Sequence, residues 1–592
     1  MNLRTLNDIF FAVVERNDRV VVMHRRAIQW VSISSAEFYQ SAVGAARLLQ
    51  ECGIGKGDRV AILSENRPEW TIADFACLLL GAVVVPIYTT LTGEQTAYIL
   101  QDSGARIVFV SGENQLLKVR GIQDQTKIER IVVMDAVETA HAVQLQRVMH
   151  DGPKERDTQF DSRARAIVPD DLATIIYTSG TTGTPKGAML THGNMASNIA
   201  YSLSGFTVRA GEISISFLPL SHVTARHVDF AMLSRGVTLA YVSFLDQLPQ
   251  ALLEVRPTIF VGVPRVYEKV HGQVDIKAKG FPKKWIYGWA LSVGRKHRDE
   301  ILADRMPSSL AWKICDRLVY SKVRAGMGGR AEVFISGGAP LGRELAEWYA
   351  DIGIRIDEGY GLTETSPVIA VNSPQAHKLG TVGKVLPNIE VRIAEDGEIL
   401  VRGPSVFKGY WNRPQDTQTA LVDGWFKTGD VGNLDADRFL SITDRKKDLI
   451  KTSGGKFIAP QPLENSLKHS ALIAEAVIVG DKRKFPAVLV APYFPVLEDW
   501  ARANQLAFSS REELVAHAKV KALYEGIVAD VNGNLARFEQ LKKVILVAEE
   551  FSTENGALTA SMKLRRRVVE ERYRERIDAM YAEAEGSGVK NG

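Results

Sequence analysis

The segment YTSGTTGTPKG, from Tyr177 to Gly187, concentrates residues that could hold an anion. Its glycines let a ligand approach the main chain, and its hydroxyls and successive backbone N–H groups can donate hydrogen bonds. Lys186 adds a positive charge. The apolar run LATII before it is typical of the end of a buried strand. The segment therefore predicts a phosphate-holding loop, with a solvated surface turn as the alternative.

The spacing of this segment excludes a P-loop, which requires G-x-x-x-x-G-K-[ST]. Pro185 stands five residues after Gly180, and Gly187 follows Lys186 where Ser or Thr is needed. Pro185 also interrupts the turn into a helix that a P-loop makes. The segment is therefore a phosphate loop of another kind, or none.

Two further glycine clusters follow apolar segments. The first is FISGGAPL, at residues 334–341. The second is DEGYGLTETS, in which Tyr360 sits between two glycines and could stack on a flat ligand. Thr363 and Glu364 follow at a strand-to-loop junction. A dinucleotide fingerprint is excluded because Glu364 stands where the third glycine of G-x-G-x-x-G is required.

Polar residues also recur in the C-terminal part of the chain. Asp430 and Arg445 could grip ribose hydroxyls, because a carboxylate accepts two hydrogen bonds; a surface ion pair is the alternative. The charged run containing Lys446 and Lys447 is typical of a solvated surface. Lys563, close to the C-terminus, would on its own be interpreted as an exposed lysine.

Length and composition favour a multidomain globular protein. The chain has 592 residues, 45% of them hydrophobic and 24% charged, which predicts two or more domains. Its net charge of +4 does not indicate nucleic-acid binding. The three cysteines lack metal or redox spacing, and neither the N-terminus nor residues 75–87 have the character of a signal peptide or a membrane span. We therefore expect a cytoplasmic location.

The order of predicted elements indicates an α/β fold. Helices are predicted over 34–58, 69–82 and 92–105, and they alternate with strands over 59–66, 83–90 and 106–112. This alternation favours a parallel sheet covered by helices, and it recurs around 171–260 and 310–360. Short strands are predicted from about Glu390, and a smaller unit from about residue 446 to the end.

The full ordered set of motifs is far more specific than any one of them. YTSGTTGTPKG, SGGAPL, GYGLTE, GWFKTGD, DRKKDLIK and LTASMKLRR together resemble the adenylate-forming superfamily, over about residues 35–567. Within it, GVPRVYEK, SGGAPL and TSGGKFIAPQPLE look most like the long-chain fatty-acid–CoA ligases.

The resemblance implies an α/β fold of two domains. Residues 1–445 would form a large AMP- and acyl-binding domain with helix-covered sheets and a small β-barrel-like subdomain. Residues 446–592 would form a small, mobile α+β domain that carries the catalytic lysine. The implied reaction uses ATP and Mg²⁺ to convert a fatty acid into an acyl-adenylate, then transfers the acyl group to coenzyme A.

The resemblance also assigns roles, residue by residue. Lys563, Thr363 and His222 would act in catalysis, and Thr181 and Glu364 would contact the magnesium site. Lys446 and Lys447 would form the hinge, and Gly454, Gly455 and Lys456 would line the coenzyme A channel. The residues implied to bind ATP and AMP are Thr178, Ser179, Gly180, Thr181, Thr182, Gly183, Lys186, Gly338, Ala339, Pro340, Glu358, Gly359, Tyr360, Gly361, Thr363, Asp430 and Arg445.

The acyl-site segment departs from the pattern of long-chain members, which often carry Phe-Glu-Arg after the His-Val pair. Here Thr224, Ala225 and Arg226 follow His222 and Val223, so one carboxylate is missing and the acyl preference stays open. We interpret the next residue, His227, as a packed or surface histidine.

Several alternatives remain open at this point. A fatty-acyl-AMP ligase serving a carrier protein is the nearest rival, although no extra segment is apparent between Arg445 and Ile473. A non-catalytic fatty-acid-binding or transport-coupling protein is another. Residues 281–298 could form a basic amphipathic helix on the inner face of a membrane or a helix packed on the core. A homodimer is also open, and no nucleic-acid partner is expected.

Overall fold

The structure is a computed structural model that describes residues 3–137, 142–178, 184–454, 456–533, 535–552, 555–559 and 564–586. The chain forms two compact units. The large unit comprises Met1–Ala394, Leu400–Thr428 and Leu434–Ser441, and the small unit comprises Glu395–Ile399, Gly429–Asn433 and Ile442–Gly592.

Two sheets organise the large unit. Their strands, in chain order, are β1 (Val22–Arg26), β2 (Gln29–Ile33), β3 (Arg59–Leu63), β4 (Val83–Ile87), β5 (Ile107–Val110), β6 (Arg130–Val133), β7 (Val143–Gln144), β8 (Leu172–Thr178), β9 (Lys186–Thr191), β10 (Ile213–Ser216), β11 (Thr238–Tyr241), β12 (Ile259–Gly262), β13 (Val333–Ser336), β14 (Ile356–Gly361), β15 (Val368–Val371) and β16 (Lys384–Val385).

The strand order of the first sheet is β7–β6–β5–β3–β4–β8–β9. Its pairs are parallel except the last, where β9 runs antiparallel to β8. The order of the second sheet is β16–β15–β14–β13–β12–β10–β11–β1–β2. Its central pairs from β14 to β1 are parallel, and antiparallel strands complete both edges. The predicted helix-covered parallel sheet is confirmed.

Helices connect these strands. They are α1 (Asn7–Arg16), α2 (Ser35–Glu51), α3 (Pro68–Leu79), α4 (Gly93–Ser103), α5 (Glu113–Arg120), α6 (Leu145–His150), α7 (Thr158–Arg165), α8 (His192–Ser202), α9 (Val223–Arg235), α10 (Leu248–Val255), α11 (Pro264–Lys277), α12 (Lys283–Leu302), α13 (Leu310–Cys315), α14 (Ser321–Gly326) and α15 (Arg343–Asp351). Short 3₁₀ turns span Gln123–Gln125, Leu245–Gln247 and Thr363–Thr365, and Asp316–Tyr320 is π-helical.

Local sequence explains where these elements begin. The Ser34 hydroxyl accepts a hydrogen bond from the Glu37 N–H, and the Glu37 carboxylate accepts one from the Ser34 N–H, so a capping box starts α2.

Phe10, Phe38, Phe75 and Phe230 meet in the core with ring centroids 5.2 to 5.9 Å apart. This cluster fixes α9 against α1, α2 and α3.

The chain then passes through short strands and enters the small unit. The connecting elements are β17 (Glu390–Ile393), β18 (Glu398–Arg402), α16 (Pro414–Ala420), β19 (Leu421–Val422), β20 (Trp425–Leu434) and β21 (Leu440–Arg445). The later elements are β22 (Ile450–Lys451), β23 (Phe457–Ile458), α17 (Pro460–Lys468), β24 (Ile473–Val479), β25 (Ala487–Pro492), α18 (Phe494–Ala503), α19 (Arg511–Ala516), α20 (Ala518–Asn532), β26 (Val544–Leu546), α21 (Arg566–Arg572) and α22 (Arg574–Gly586).

The small unit has an α+β core of its own. Strand β25 pairs antiparallel with β24 and parallel with β26. Buried apolar residues of α17, α18 and α20 pack against this sheet. Across the described ranges of both units, none of the helices combines the length and apolar character needed to span a bilayer.

Candidate active site

The predicted phosphate loop connects two antiparallel strands of the large unit. Thr178 ends β8 and lies opposite Lys186, which begins β9. The Thr178 hydroxyl donates to the Lys186 carbonyl at 3.4 Å. The connection therefore leads from strand to strand, whereas a P-loop leads from strand to helix. Ser179, Gly180, Thr181, Thr182 and Gly183 lie outside the described residues.

Two tyrosines hold the ends of this connection. The Tyr177 hydroxyl donates to the Asp102 carboxylate at 2.5 Å, and the Tyr98 hydroxyl donates to the Pro185 carbonyl at 3.0 Å. Burial and the adjacent Asp102 carboxylate raise the pKa of Tyr177, so its hydroxyl stays protonated as a donor. Tyr177 and Pro185, which flank the connection, are thus held by these hydrogen bonds.

Lys186 and Glu364 are linked through Tyr410. Lys186 Nζ lies 2.5 Å from Asp416 Oδ1 and 5.4 Å from the centroid of the Tyr410 ring. The Tyr410 hydroxyl donates to Glu364 Oε1 at 2.8 Å, and burial raises the pKa of Tyr410. We did not predict Tyr410 or Asp416 from the sequence. Both lie in the segment GYWNRPQDT, which contains no binding motif from which these contacts could have been predicted.

The SGGAPL motif follows the end of β13. Gly338 has a φ of +83°, which a residue with a side chain rarely adopts, so glycine is required at this turn. Ala339 is exposed and Pro340 is half-buried beside it. The Leu341 N–H donates to Glu358 Oε2 on the adjacent β14 at 3.3 Å, and burial raises the pKa of Glu358 to about 7.

The GYGLTE motif leads from β14 into a 3₁₀ turn. A β-carbon on Gly361 would lie 1.9 Å from the Pro367 carbonyl oxygen, whereas one on Gly359 would meet its nearest atom at 3.5 Å. Only glycine therefore fits at position 361. Tyr360 between them is half-buried, and Thr363 and Glu364 are buried in the turn.

An apolar cavity lies beside both glycine motifs. It encloses about 660 Å³, counting the part open to solvent. Its walls come from α8, α9, β12, the SGGAPL turn and the β14–β15 hairpin: Ser202, Leu203, Phe206, Thr224, His227, Val228, Ala231, Met232, Val261, Ile335, Gly337, Gly338, Gly359, Tyr360, Gly361, Pro367, Val368 and Val371. One wall of the cavity is therefore built from the predicted nucleotide motifs.

Helix α9 contributes the acyl-site segment. His222 caps its N-terminus, where His222 Nδ1 accepts a hydrogen bond from the Thr224 N–H at 3.1 Å. Thr224 and His227 line the cavity. His227 is buried, as its interpretation as a packed residue requires; its Nε2 lies 3.0 Å from Ser202 Oγ, and burial lowers its pKa to about 4.

Arg226 does not belong to the cavity wall. It is fully buried, and its guanidinium makes two hydrogen bonds to the Asp74 carboxylate of α3, at 2.5 and 2.7 Å. This pair joins α9 to α3 and is structural in position. No local pattern connected residues 152 positions apart, so we did not predict it.

The small unit contains the remaining predicted residues. Arg445 Nε lies 3.3 Å from Asp430 Oδ1, and Asp430 is buried while Arg445 is largely exposed. Lys446 Nζ contacts Asp396 at 2.5 Å and Glu398 at 2.8 Å, and Lys447 is exposed. These two carboxylates raise the pKa of Lys446.

The glycine segment of the small unit is surface-exposed where it is described. Gly454 is exposed, and Lys456 Nζ lies 5.9 Å from the centroid of the Phe538 ring. Gly455 and Lys563 lie outside the described residues. Arg566 follows Lys563 by three positions, and its guanidinium donates to the buried Glu464 carboxylate at 2.8 Å.

Two family models match most of the chain. The AMP-binding enzyme family matches residues 10–411, and the C-terminal domain of AMP-binding enzymes matches residues 447–585.

The chain belongs to the AMP-binding enzyme family.

Curated AMP-binding relatives match along nearly the whole chain. The long-chain-fatty-acid–CoA ligase FadD15 of Mycobacterium bovis is 38% identical over 576 residues, covering 96% of this chain and 95% of the relative. The long-chain-fatty-acid–CoA ligase ACSBG2 of Xenopus laevis is 32% identical, covering 99% of this chain and 85% of the relative. The resemblance to long-chain fatty-acid–CoA ligases inferred from the motifs is confirmed.

Solved structures of AMP-binding enzymes share the fold. The anthranilate CoA ligase AuaEII, crystallised with anthranoyl-AMP, matches with a TM-score of 0.74 at 19% identity, covering 99% of both chains. The predicted fold class, a large N-terminal α/β domain followed by a small C-terminal domain, is confirmed.

Proposed function

We propose that this enzyme activates a long-chain fatty acid and transfers it to coenzyme A. A carboxylate oxygen of the fatty acid attacks the α-phosphorus of ATP, and the bond from that phosphorus to the bridging oxygen breaks, releasing pyrophosphate. The thiol of coenzyme A, losing its proton, then attacks the acyl carbonyl carbon and AMP leaves. Attaching AMP cancels the charge that protects a carboxylate and creates a leaving group.

The shared wall between the apolar cavity and the glycine motifs carries this proposal. An acyl chain in the cavity would extend along α9 and the β14–β15 hairpin. Its carboxylate end would then lie near Gly338, Tyr360 and Thr363, the segments proposed to bind adenine and the α-phosphate. A pocket of several hundred cubic ångströms lined by apolar side chains is typical of a small-molecule site.

The residues present fit a magnesium ion held together with phosphates. Glu364 offers carboxylate oxygen, the ligand type that Mg²⁺ prefers, and the Tyr410 hydroxyl fixes one of its oxygens. Among the described residues, no three His, Cys, Asp or Glu side chains cluster to form a complete protein cage. Mg²⁺ usually binds one or two carboxylates plus substrate phosphates, and it would neutralise phosphate charge here. We propose Glu364 and Thr181 as its protein contacts.

Cationic groups must offset the repulsion between a carboxylate and a triphosphate. We propose that the loop from Thr178 to Lys186 holds the β- and γ-phosphates and that Thr363 contacts the α-phosphate. By family resemblance, Lys563 would bridge the substrate carboxylate and the α-phosphate, and His222 would lie near the carboxylate and the thiol entry. Glu358, Gly359 and Gly361, with Ala339 and Pro340, would complete the adenine slot.

We propose separate tasks for the two domains, divided between residues 445 and 446. Asp430 would accept hydrogen bonds from the ribose hydroxyls, with Arg445 assisting. The small domain would turn about Lys446 and Lys447 between the two half-reactions, as the family resemblance implies. One pose would use Lys563, and the other would use Gly454, Gly455 and Lys456 along the pantetheine channel.

The test is AMP and acyl-CoA formation from ATP, Mg²⁺, coenzyme A and fatty acids from acetate to oleate. We expect the highest kcat/KM with long chains and loss of AMP formation in Lys563→Ala. Lys521→Ala, which changes an exposed lysine of α20, is the matched control and should keep full activity. Acyl-adenylate without thioester would instead indicate a fatty-acyl-AMP ligase, and fatty-acid binding without AMP release would indicate a non-catalytic protein.

We also propose a cytoplasmic enzyme that contacts the inner face of a membrane through residues 281–298, because long-chain fatty acids partition into bilayers. A homodimer is the alternative to a monomer. Light scattering of the purified protein distinguishes the two by their molar mass.

A further inference from the structure

The helical segment between β12 and β13 exposes an unusual amount of apolar side chain. Phe281, Trp285, Met306, Leu310, Ile314 and Leu318 are exposed, with exposed fractions from 42% to 92%. Phe281 and Trp285 form a tip at the start of α12. Further along that helix, Trp289 packs partly against the core and Val293 is buried, so only the beginning of the predicted 281–298 surface is free.

A second apolar group runs along α13 and the π-helical turn after it. Leu310, Ile314 and Leu318 recur at four-residue spacing, which puts them on one helix face. Trp312, Cys315 and Tyr320 from the same stretch are buried in the core. The helix therefore packs with one apolar face and presents another to solvent.

The two apolar groups belong to one packed body. Ser309 Oγ lies 2.9 Å from His297 Nε2, and the Tyr320 hydroxyl donates to the Ala290 carbonyl at 2.6 Å. These contacts fasten the helix from Leu310 onward to α12. We call these two exposed groups together, Phe281, Trp285, Leu310, Ile314 and Leu318, the apolar helical face.

Positively charged side chains flank the apolar helical face, and three acids that border these segments, Asp275, Glu300 and Asp304, lie against His271, His297 and Arg355. Lys277, Lys279, Lys283 and Lys284 flank the tip and are exposed, and Lys313 and Arg317 flank the stripe. The sequence from residue 276 to 298 contains no Asp or Glu. Asp316, the single acid between 305 and 326, pairs with Arg324 at 2.5 Å. Two copies of so basic a face would repel each other, whereas an anionic lipid surface complements it.

We propose that the apolar helical face docks this enzyme on an anionic lipid bilayer. Phe281 and Trp285 would enter the headgroup region, the Leu310–Leu318 stripe would lie along it, and the lysines would contact lipid phosphates. The inference deepens the proposed function, since it would hold a long-chain ligase where its substrate partitions. It adds the stripe on α13, which the sequence alone did not indicate.

The test is flotation of the purified full chain with two kinds of vesicle, phosphatidylcholine alone and phosphatidylcholine mixed with phosphatidylglycerol. We expect binding to the mixed vesicles only, weakened by at least ~10-fold in Phe281→Ser/Trp285→Ser, in Leu310→Gln/Leu318→Gln and in Lys283→Glu/Lys284→Glu. Leu117→Gln/Leu253→Gln is the matched control, because these leucines are 58% and 57% exposed outside this face. The control should bind as the wild type does.

Activity of the same variants on a short, water-soluble fatty acid separates this inference from the proposed function. We expect it to stay at the wild-type level while vesicle binding falls. Equal binding by the variants and the wild type, or no binding to the mixed vesicles, would overturn the docking proposal whatever the activity. Conversion of a dimer to a monomer by Leu310→Gln/Leu318→Gln without vesicles would assign the stripe to a subunit interface instead.

Discussion

Lys186 is held in place before any phosphate arrives. Its ammonium lies 2.5 Å from the Asp416 carboxylate and 5.4 Å from the centre of the Tyr410 ring. Lys186 is the C-terminal residue of the proposed phosphate loop. We expect Lys186→Ala to lower kcat/KM for ATP by roughly 10²-fold, since the preorganised positive charge proposed to hold the β- and γ-phosphates is lost. Steady-state kinetics at varied ATP measures the effect.

The matched control for that change is Lys408→Ala. Lys408 is a half-exposed lysine of the same unit that contacts Asp170 at 3.9 Å. It should keep kcat/KM within about twofold, because exposed ion pairs contribute little. Equal losses in the two variants would remove the special role of Lys186.

Tyr410 positions the proposed magnesium contact without being one. Its hydroxyl donates to Glu364 Oε1 at 2.8 Å, so Tyr410→Phe leaves that oxygen without its donor. We expect the Mg²⁺ concentration at half-maximal rate to rise by ~10-fold, as for other residues that orient metal ligands, with kcat at saturating Mg²⁺ little changed. Titration of the initial rate with Mg²⁺ measures this shift. Tyr201→Phe, at an exposed tyrosine, should leave it unchanged.

At the residue scale, the sequence predicted the positions that recur in local motifs and missed those that meet them in space. Lys186, Tyr360 and Glu364 stand in short glycine- or hydroxyl-rich segments with a recognisable chemistry. Tyr410 and Asp416 lie in a segment without such a pattern, and their contacts with Glu364 and Lys186 depend on the tertiary fold. The roles themselves stay predictions, to be tested by the variants.

The β14–β15 hairpin depends on one glycine of the GYGLTE motif. A β-carbon on Gly361 would clash with the Pro367 carbonyl at 1.9 Å, so we expect Gly361→Ala to destabilise the large unit by about 3 kcal/mol. Gly359→Ala, whose β-carbon meets its nearest atom at 3.5 Å, should keep its unfolding midpoint. Urea unfolding followed by tryptophan fluorescence compares them. Equal midpoints for both variants would contradict the steric argument.

Helix α9 shapes the proposed acyl cavity through Ala231, a buried residue that lines it. We expect Ala231→Phe to narrow the cavity and to lower kcat/KM for oleate roughly tenfold more than for shorter acids, by steric exclusion. Chain-length profiles of the variant and the wild type measure the shift. Ala231→Ser should preserve the profile, and an unchanged profile in Ala231→Phe would place the chain elsewhere.

The elements were predictable because periodicity and capping are local. The predicted strand over 59–66 and helix over 92–105 match β3 and α4, whose start has its own capping box at Thr92. The buried Arg226–Asp74 pair could not be foreseen, since it joins helices far apart in sequence. The alternation of elements also did not predict the exposed stripe on α13, because exposure depends on which face of the helix packs against the core.

At the scale of the whole molecule, the sequence predicted a second, smaller unit from about residue 446 to the end. The small unit has its own sheet and apolar core, as a separate folding unit requires. Asp430 and Arg445, which both precede residue 446 in the sequence, belong with the small unit. Contact between chain segments, rather than sequence order, decides this membership.

Separate tasks for the two half-reactions give the most demanding test of the proposed function. We expect Lys563→Ala to lower ATP–pyrophosphate exchange by roughly 10²–10³-fold and to keep thioester formation from supplied oleoyl-adenylate near the wild-type rate. Gly454→Trp should do the reverse, because its β-carbon would meet only Thr452 Oγ1, at 4.0 Å, so the small unit can accommodate a larger side chain, which would obstruct only the proposed pantetheine channel.

Two controls make this comparison decisive. Lys521→Ala and Gly526→Trp repeat the same changes at exposed positions of α20, and both half-reactions should stay at the wild-type level. Opposite defects in Lys563→Ala and Gly454→Trp require that the two segments serve different steps. If each variant instead slowed both half-reactions equally, one fixed arrangement of the active site would account for the data, and rotation of the small domain would have to be abandoned.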